Sequence, residues 1–158
     1  MNIKITADST CDLSLEIIER YNIDILPLYV VENEKSLRDG IDVSPEDIFD
    51  FVEKTGGSVS TSAVNTNDYI NYFTKIKKNC DAIIHINISS EFSSCYQNAL
   101  IAAETVGNVY PVDSRNLSTG SGHIVVEAAE MAESGASPEE IVSAMKELTK
   151  KVEASFFI

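Results

Sequence analysis

The sequence predicts an α/β fold of three layers, with a mainly parallel sheet flanked by helices. Three observations carry that expectation. Short β-prone runs alternate along the chain with stretches of helical periodicity. One run, Ala82 to Ile88, is apolar almost throughout and reads as a buried strand. Two helices share one start signal, Ser44-Pro45-Glu46-Asp47 and Ser137-Pro138-Glu139-Glu140, with a capping serine, proline at the first helical position and acids after it. Alternating strands and helices build parallel sheets with right-handed crossovers, and ligands bind such sheets at the carboxyl ends of strands.

Taken in order, residues 2–7 alternate toward a strand and run into Asp8-Ser9-Thr10-Cys11-Asp12, a polar turn able to cap a helix that carries Leu13, Ile17, Ile18 and Tyr21. Asp24 to Val31 is strongly β-prone. Pro27 has no N–H to give a ladder and places this run at a sheet edge, and Glu32-Asn33-Glu34-Lys35 turns it into a second extended piece at residues 36–38. A helix over 45–54 ends at Gly56-Gly57. The hydroxyl-rich segment Ser58 to Ala63 then leads to a helix with Tyr69, Ile70, Phe73 and Ile76 on one side. After the strand at 82–88 comes Ser89-Ser90-Glu91-Phe92-Ser93-Ser94. Tyr96, Leu100, Ala103 and Val106 follow at helical spacing, which makes Ser93 the expected N-cap. Asn108 to Asp113 is a further strand, Ser114 to Gly122 a polar loop, and the helix after it reaches about Glu133. The helix opened by Ser137 carries Ile141, Met145 and Leu148, and Glu153 to Ile158 reads as a strand.

With 158 residues, 44% of them hydrophobic, the chain can bury a substantial core, and no linker composition divides residues 1–158. A formal charge of −13 disfavours nucleic acid and anionic membrane surfaces, both of which call for basic patches. Cys11, Cys80 and Cys95 are an odd number without a CxxC motif, and the N-terminus lacks the apolar region of a signal peptide. A reduced, cytoplasmic chain without a membrane insertion is expected.

The candidate chemistry lies at the junctions. Ser9 and Thr10, Thr61 and Ser62, Ser89 through Ser94, and Ser114 through Ser121 all bring hydroxyls to places where strands give way to helices, and a parallel sheet would gather them on one rim. Apart from Arg38 and Arg115 that rim holds few cations. The chain has neither a GxxxxGK[ST] loop nor a GxGxxG, so nucleotide binding has no support. Neutral hydroxyls beside the N–H groups of a helix start suit a lone carboxylate. A serine can also cap a helix without binding anything. A hydrolase would need a nucleophile elbow GxSxG, which is absent, and a base. His85 sits inside an apolar strand as a core histidine would, and His123 stands near a helix start, open to packing or to the rim. Asp8, Asp12, Asp39, Asp42 and Asp113 have no EF-hand spacing and read as caps and turns, and Cys11 and Cys95 as small buried side chains.

Several stretches together carry a family resemblance: Asp8-Ser9-Thr10-Cys11-Asp12-Leu13, Leu26-Pro27-Leu28, Arg38-Asp39-Gly40, Thr61-Ser62, Ser89-Ser90 with Ser93 and Tyr96, and Val112-Asp113-Ser114 with Ser118, Gly120 and Gly122. Singly weak, in this order and spacing they resemble the N-terminal part of the DegV family of bacterial fatty-acid-binding proteins, along the whole chain. The resemblance implies a binding protein and not an enzyme. It would need no cofactor, would enclose a long-chain fatty acid such as palmitate, and would present the carboxylate to a separate fatty-acid kinase subunit. Carried over, Thr61 and Ser93 match the hydroxyls that hold the carboxylate, with Ser62 and Ser118 as neighbours.

Two departures from the family pattern stand out. Where the family has Ser-Gly-Thr-Tyr, this chain has Ser93-Ser94-Cys95-Tyr96, so a position that permits close backbone approach carries a side chain. The family's second domain, with the Arg and His it contributes near the headgroup, would begin after Ile158, which makes the chain an N-terminal portion or a shortened homologue. A strand cut at 153–158 would expose apolar surface and favour a homo-oligomer through that edge. The other readings are a phosphotransfer or hydrolytic enzyme with Ser93 or His123 as covalent site, and a fragment that binds nothing.

Overall fold

The computed structural model describes residues 1–155. In chain order the elements are β1 (Ile3–Asp8), α1 (Leu15–Arg20), β2 (Asp24–Leu26), β3 (Tyr29–Glu32), β4 (Lys35–Arg38), α2 (Pro45–Thr55), β5 (Val59–Ser62), α3 (Thr66–Ile76), β6 (Ala82–Asn87), α4 (Cys95–Val106), β7 (Val109–Asp113), α5 (Thr119–Glu133) and α6 (Pro138–Leu148). Four strands form one parallel sheet in the order β2-β1-β6-β7. All six residues of β6 are buried, which explains its continuous apolar run.

The period of two in β6 sorts its side chains between two cores. Ile84 and Ile86 join Ile5 and Ala7 of β1 under α5 and α6, against Ile124, Val125, Ile141 and Met145. Ile83 faces the other way, into a core with Tyr69 and Phe73 of α3 and Ala99 and Ala102 of α4. The molecule is thus helices, parallel sheet, helices, as the alternation of elements predicts. Both serine-proline starts form complete capping boxes, Ser44 with Asp47 and Ser137 with Glu140, and Gly56 ends α2 at φ 64°.

Two expectations are corrected. The run from Asp24 to Val31 is not one strand. It breaks at Pro27 and Leu28, so that β2 pairs with β1 at the edge of the parallel sheet while β3 becomes the centre of a second, antiparallel sheet, β4-β3-β5. The hydroxyl-rich segment after Gly57 is not merely a lead into a helix. Its residues Val59–Ser62 are β5, which pairs with β3 and places Thr61 opposite Val30. Exposed on most of its length, β5 needs no apolar alternation and so shows none.

The first helix also starts later than its apolar spacing suggests. Ser9–Cys11 forms a single 3₁₀ turn, Asp12 takes a left-handed conformation at φ 49°, and Ser14 caps α1 by accepting from Ile17 N. Of the strand expected over 153–158, residues 156–158 lie outside the described residues and Glu153 to Ser155 are irregular.

Candidate ligand site at the carboxyl rim of the sheet

The carboxyl ends of β1, β6 and β7 open into three loops, and the antiparallel sheet closes over them from one side. Between them lies a cavity of about 570 Å³, within the range of small-molecule sites, about 300–1,000 Å³. Its hydroxyls are Thr10 from the turn after β1, Thr61 and Ser62 from β5, and Ser93 and Ser94 from the loop before α4. Its apolar wall is Leu28, Val30, Ala63, Ile88, Phe92 and Leu117, completed by Tyr29 and Asp39.

Three of the four expected site residues, Thr61, Ser62 and Ser93, therefore share one cavity, although two stand on a strand of the antiparallel sheet and the third in the loop after β6 of the parallel one. Ser118 is not on the wall. Its neighbour Leu117 is, and Ser118 N donates to Thr10 O at 2.9 Å, which ties the β7 loop to the β1 turn. Asn98 Nδ2 of α4 donates to Val64 O at 2.8 Å, so the helix behind Ser93 is fastened to the chain just past Thr61.

Ser93 does not cap α4. The helix begins at Cys95 with Ser94 in the N-cap position, and Ser94 makes no side-chain capping bond. The Ser93 hydroxyl instead accepts from Cys95 N at 3.2 Å, two residues on, a local serine turn that displaces the helix start by one residue. That bond uses an acceptor pair, so the hydroxyl proton can still serve a ligand oxygen. Ser94 sits at φ −77°, which any L-residue adopts, and lies on the cavity wall. The rest of the serine stretch is structural. Ser89 is buried, with its hydroxyl accepting from Glu91 N, and the Ser90 hydroxyl donates to Asp113 Oδ2 at 2.6 Å, joining the β6 and β7 loops.

Beneath the cavity a buried polar cluster fixes the strand ends. Asp8 accepts from Tyr69 OH at 2.8 Å, Asn87 Nδ2 at 3.2 Å and Ile88 N at 2.9 Å, and His85 Nε2 lies 3.1 Å away. His85 Nδ1 is 2.7 Å from the Thr6 hydroxyl. His85 thus bridges the Asp8 carboxylate and the Thr6 hydroxyl, which also lies 3.4 Å from Ile84 O. His85 is a core histidine as its strand context predicts. His123 projects from α5 toward Glu127 at 3.9 Å, and no histidine is on the cavity wall among the described residues. Burial pushes the Cys11 thiol up to about 11 and raises that of Cys95, with the charge of Asp8 adding to the latter; neither is an activated nucleophile.

Apart from the Asp39 carboxylate, the polar groups on the cavity wall are neutral hydroxyls. Arg38 is held by Asp42 in a two-pronged pair at 2.7 and 2.8 Å, Arg115 is bound to Glu91 at 3.0 Å, and neither lines the cavity. Asp39 does, with one oxygen taking the Ser9 hydroxyl at 2.6 Å. Among the described residues no group of three or more His, Cys, Asp or Glu could hold a metal ion. The apolar half of the wall is what residue-level reading of the sequence did not single out. Leu28 gave a signal in hindsight, because it follows the Pro27 that breaks the β-prone run and turns the chain from one sheet to the other.

This is a three-layer α/β protein with a hydroxyl-lined, partly apolar cavity at the carboxyl rim of its parallel sheet. The chain belongs to the DegV family. The family profile, described as "Uncharacterised protein, DegV family", matches residues 2–158. Protein DegV of Bacillus subtilis is 32% identical over 161 residues, covering 100% of this chain and 57% of its own length. A DegV domain-containing protein of Caldanaerobacter subterraneus is 34% identical, covering 95% and 54%.

Solved structures align with the same part of the family. DegV from Bacillus subtilis, described as a fatty acid binding protein, superposes with a TM-score of 0.88 at 29% identity over 95% of this chain and 54% of its own. A Thermotoga maritima protein reported to reveal a fatty acid binding function gives 0.83 at 33%, over 95% and 56%. A stearic acid-binding protein from Eubacterium ventriosum gives 0.81 at 26%, over 91% and 52%. The chain thus spans about half the length of the relatives it matches. No helix among the described residues is long and apolar enough to cross a membrane.

Proposed function

We propose that this chain binds a long-chain fatty acid by its carboxylate, with the hydroxyls of Thr61 and Ser93 as donors and Ser62 beside them, while Ser118, off the wall, ties the β7 loop to the turn that carries Thr10. One observation carries the reading: Thr61 of β5 and Ser93 of the loop after β6, far apart in sequence, stand on the wall of one cavity whose remaining surface is largely apolar. Neutral donors suit a single negative charge, since a hydrogen bond to a charged group is worth about 1.5–3 kcal/mol. Leu28, Val30 and Ile88 give the first part of an acyl chain an apolar wall. The fatty-acid-binding descriptions of the Bacillus and Thermotoga relatives support the same ligand class. In this reading the bound carboxylate is offered to a separate fatty-acid kinase, and the chain itself carries out no chemistry.

The test is direct. Lipids extracted from the purified protein and identified by mass spectrometry are expected to include a long-chain fatty acid, and titration with palmitate is expected to saturate at one site. Ser93→Ala and Thr61→Ala should each weaken palmitate binding by about tenfold. A protein that carries no acyl ligand and does not respond to palmitate overturns the proposal.

A further inference from the structure

Thr10 poses a question that the hydroxyls of Thr61 and Ser93 do not. It lies on the cavity wall, yet its Oγ1 is shielded from solvent and has no hydrogen-bond partner among the described residues. A buried hydroxyl without a partner costs about 1–3 kcal/mol, and proteins seldom retain one at no benefit. The backbone around it is firmly held. Thr10 is the centre of the Ser9–Cys11 turn, its carbonyl accepts from Ser118 N at 2.9 Å, and the Ser9 hydroxyl is fixed between Leu28 N at 3.1 Å and Asp39 Oδ2 at 2.6 Å. What remains free is the side chain's own rotation. Threonine's staggered χ1 wells exchange the positions of hydroxyl and methyl without moving the backbone.

We propose that Thr10 is a third carboxylate donor, whose hydroxyl turns into the cavity when a fatty-acid headgroup occupies it. The inference rests on the fatty-acid reading above and adds a residue to it. The buried hydroxyl has no partner within the protein, and a carboxylate in the cavity gives it a charged acceptor. The ligand therefore meets a group whose interaction differs between the two rotamers, which is the condition for a ligand to shift a population. The turn rigidly couples this donor to Leu28 on the apolar wall through Ser9, so headgroup and first methylenes are sensed by one short segment.

The experiment compares Thr10→Val, which keeps the shape and removes the hydroxyl, with Thr10→Ser, which keeps the hydroxyl. Each is titrated with palmitate and melted without ligand. Thr10→Val is expected to weaken palmitate binding about tenfold while its ligand-free melting temperature stays equal to or above the wild type, because an unpartnered hydroxyl has been removed. Thr10→Ser should bind within about threefold of wild type. The proposal is overturned if Thr10→Val binds palmitate as the wild type does, if Thr10→Ser loses as much as Thr10→Val, or if Thr10→Val melts clearly lower without ligand, since the hydroxyl would then already be satisfied. A wild type that does not bind palmitate overturns the fatty-acid reading and this inference together. A binding wild type with an unaffected Thr10→Val overturns this inference alone.

Discussion

Asp8 shows how one side chain can position a site it does not touch. Its carboxylate is buried at the end of β1 and gathers a phenol, an amide, a backbone N–H and an imidazole from α3, β6 and the loop after β6. Ile88, whose N–H it holds, is on the cavity wall. Asp8→Ala would leave Tyr69 OH, Asn87 Nδ2 and Ile88 N without their acceptor in a place water does not reach. Each buried donor left unsatisfied costs about 1–3 kcal/mol, so a loss of several kcal/mol is expected, measured from the urea midpoint. Asp8→Asn retains an acceptor oxygen and should lose less. The sequence alone gave Asp8 no such weight, because a carboxylate before a Ser-Thr turn reads equally well as a cap, and its four partners lie 61 to 80 positions away.

At the scale of elements the critical contact is between the start of α5 and the turn after β1. A Cβ added at Gly122 would stand 2.5 Å from Cys11 O and 3.0 Å from Leu13 Cδ2. Alanine ordinarily gains up to about 1 kcal/mol over glycine inside a helix. Here the obstacle is a backbone carbonyl, which cannot swing aside as a side chain can, and overpacking costs about 1–3 kcal/mol. Gly122→Ala should therefore be destabilised on balance by about 1–2 kcal/mol in urea unfolding. Because the displaced carbonyl adjoins Thr10, the variant's palmitate affinity should fall as well. The glycine-bearing loop was visible in the sequence as a polar segment. Which glycine is forced by a close approach was not, since that depends on the distance between two elements more than a hundred residues apart.

For the whole molecule the titrating groups set the pH limits. The Cys11 thiol, raised by burial to about 11 from an ordinary 9.0, keeps its proton in the folded chain after the unfolded chain has lost it. The unfolded state then binds fewer protons, so stability falls as pH rises from about 9 toward 11. Burial raises Tyr69 and Tyr72 in the same sense, the nearby carboxylates adding to it. On the acid side Arg38 holds the exposed Asp42 carboxyl down at about 2 against 3.8, so its contribution is present above 3.8 and is lost as pH falls toward 2. Urea midpoints measured between pH 8 and pH 11 should decline for the wild type and decline less for Cys11→Ala. Equal slopes would show that this thiol is not the titrating group.

What the sequence by itself determined is the part governed by local chemistry and periodicity. The alternation of elements, the fully buried β6, the two serine-proline caps and the identity of the hydroxyl-bearing segments all follow from residue type and spacing within a dozen positions. Only the tertiary structure decided that the run from Asp24 to Val31 serves two sheets, that Thr61 sits on a strand, and that Ser94 and not Ser93 stands at the N-cap of α4. It also separated the hydroxyls on the cavity wall from Ser89, Ser90 and Ser118, which hold loops together. The reason is physical: a serine's local pattern is the same whether it meets a neighbour's backbone or an open cavity. That choice is made by elements distant in sequence that pack around it.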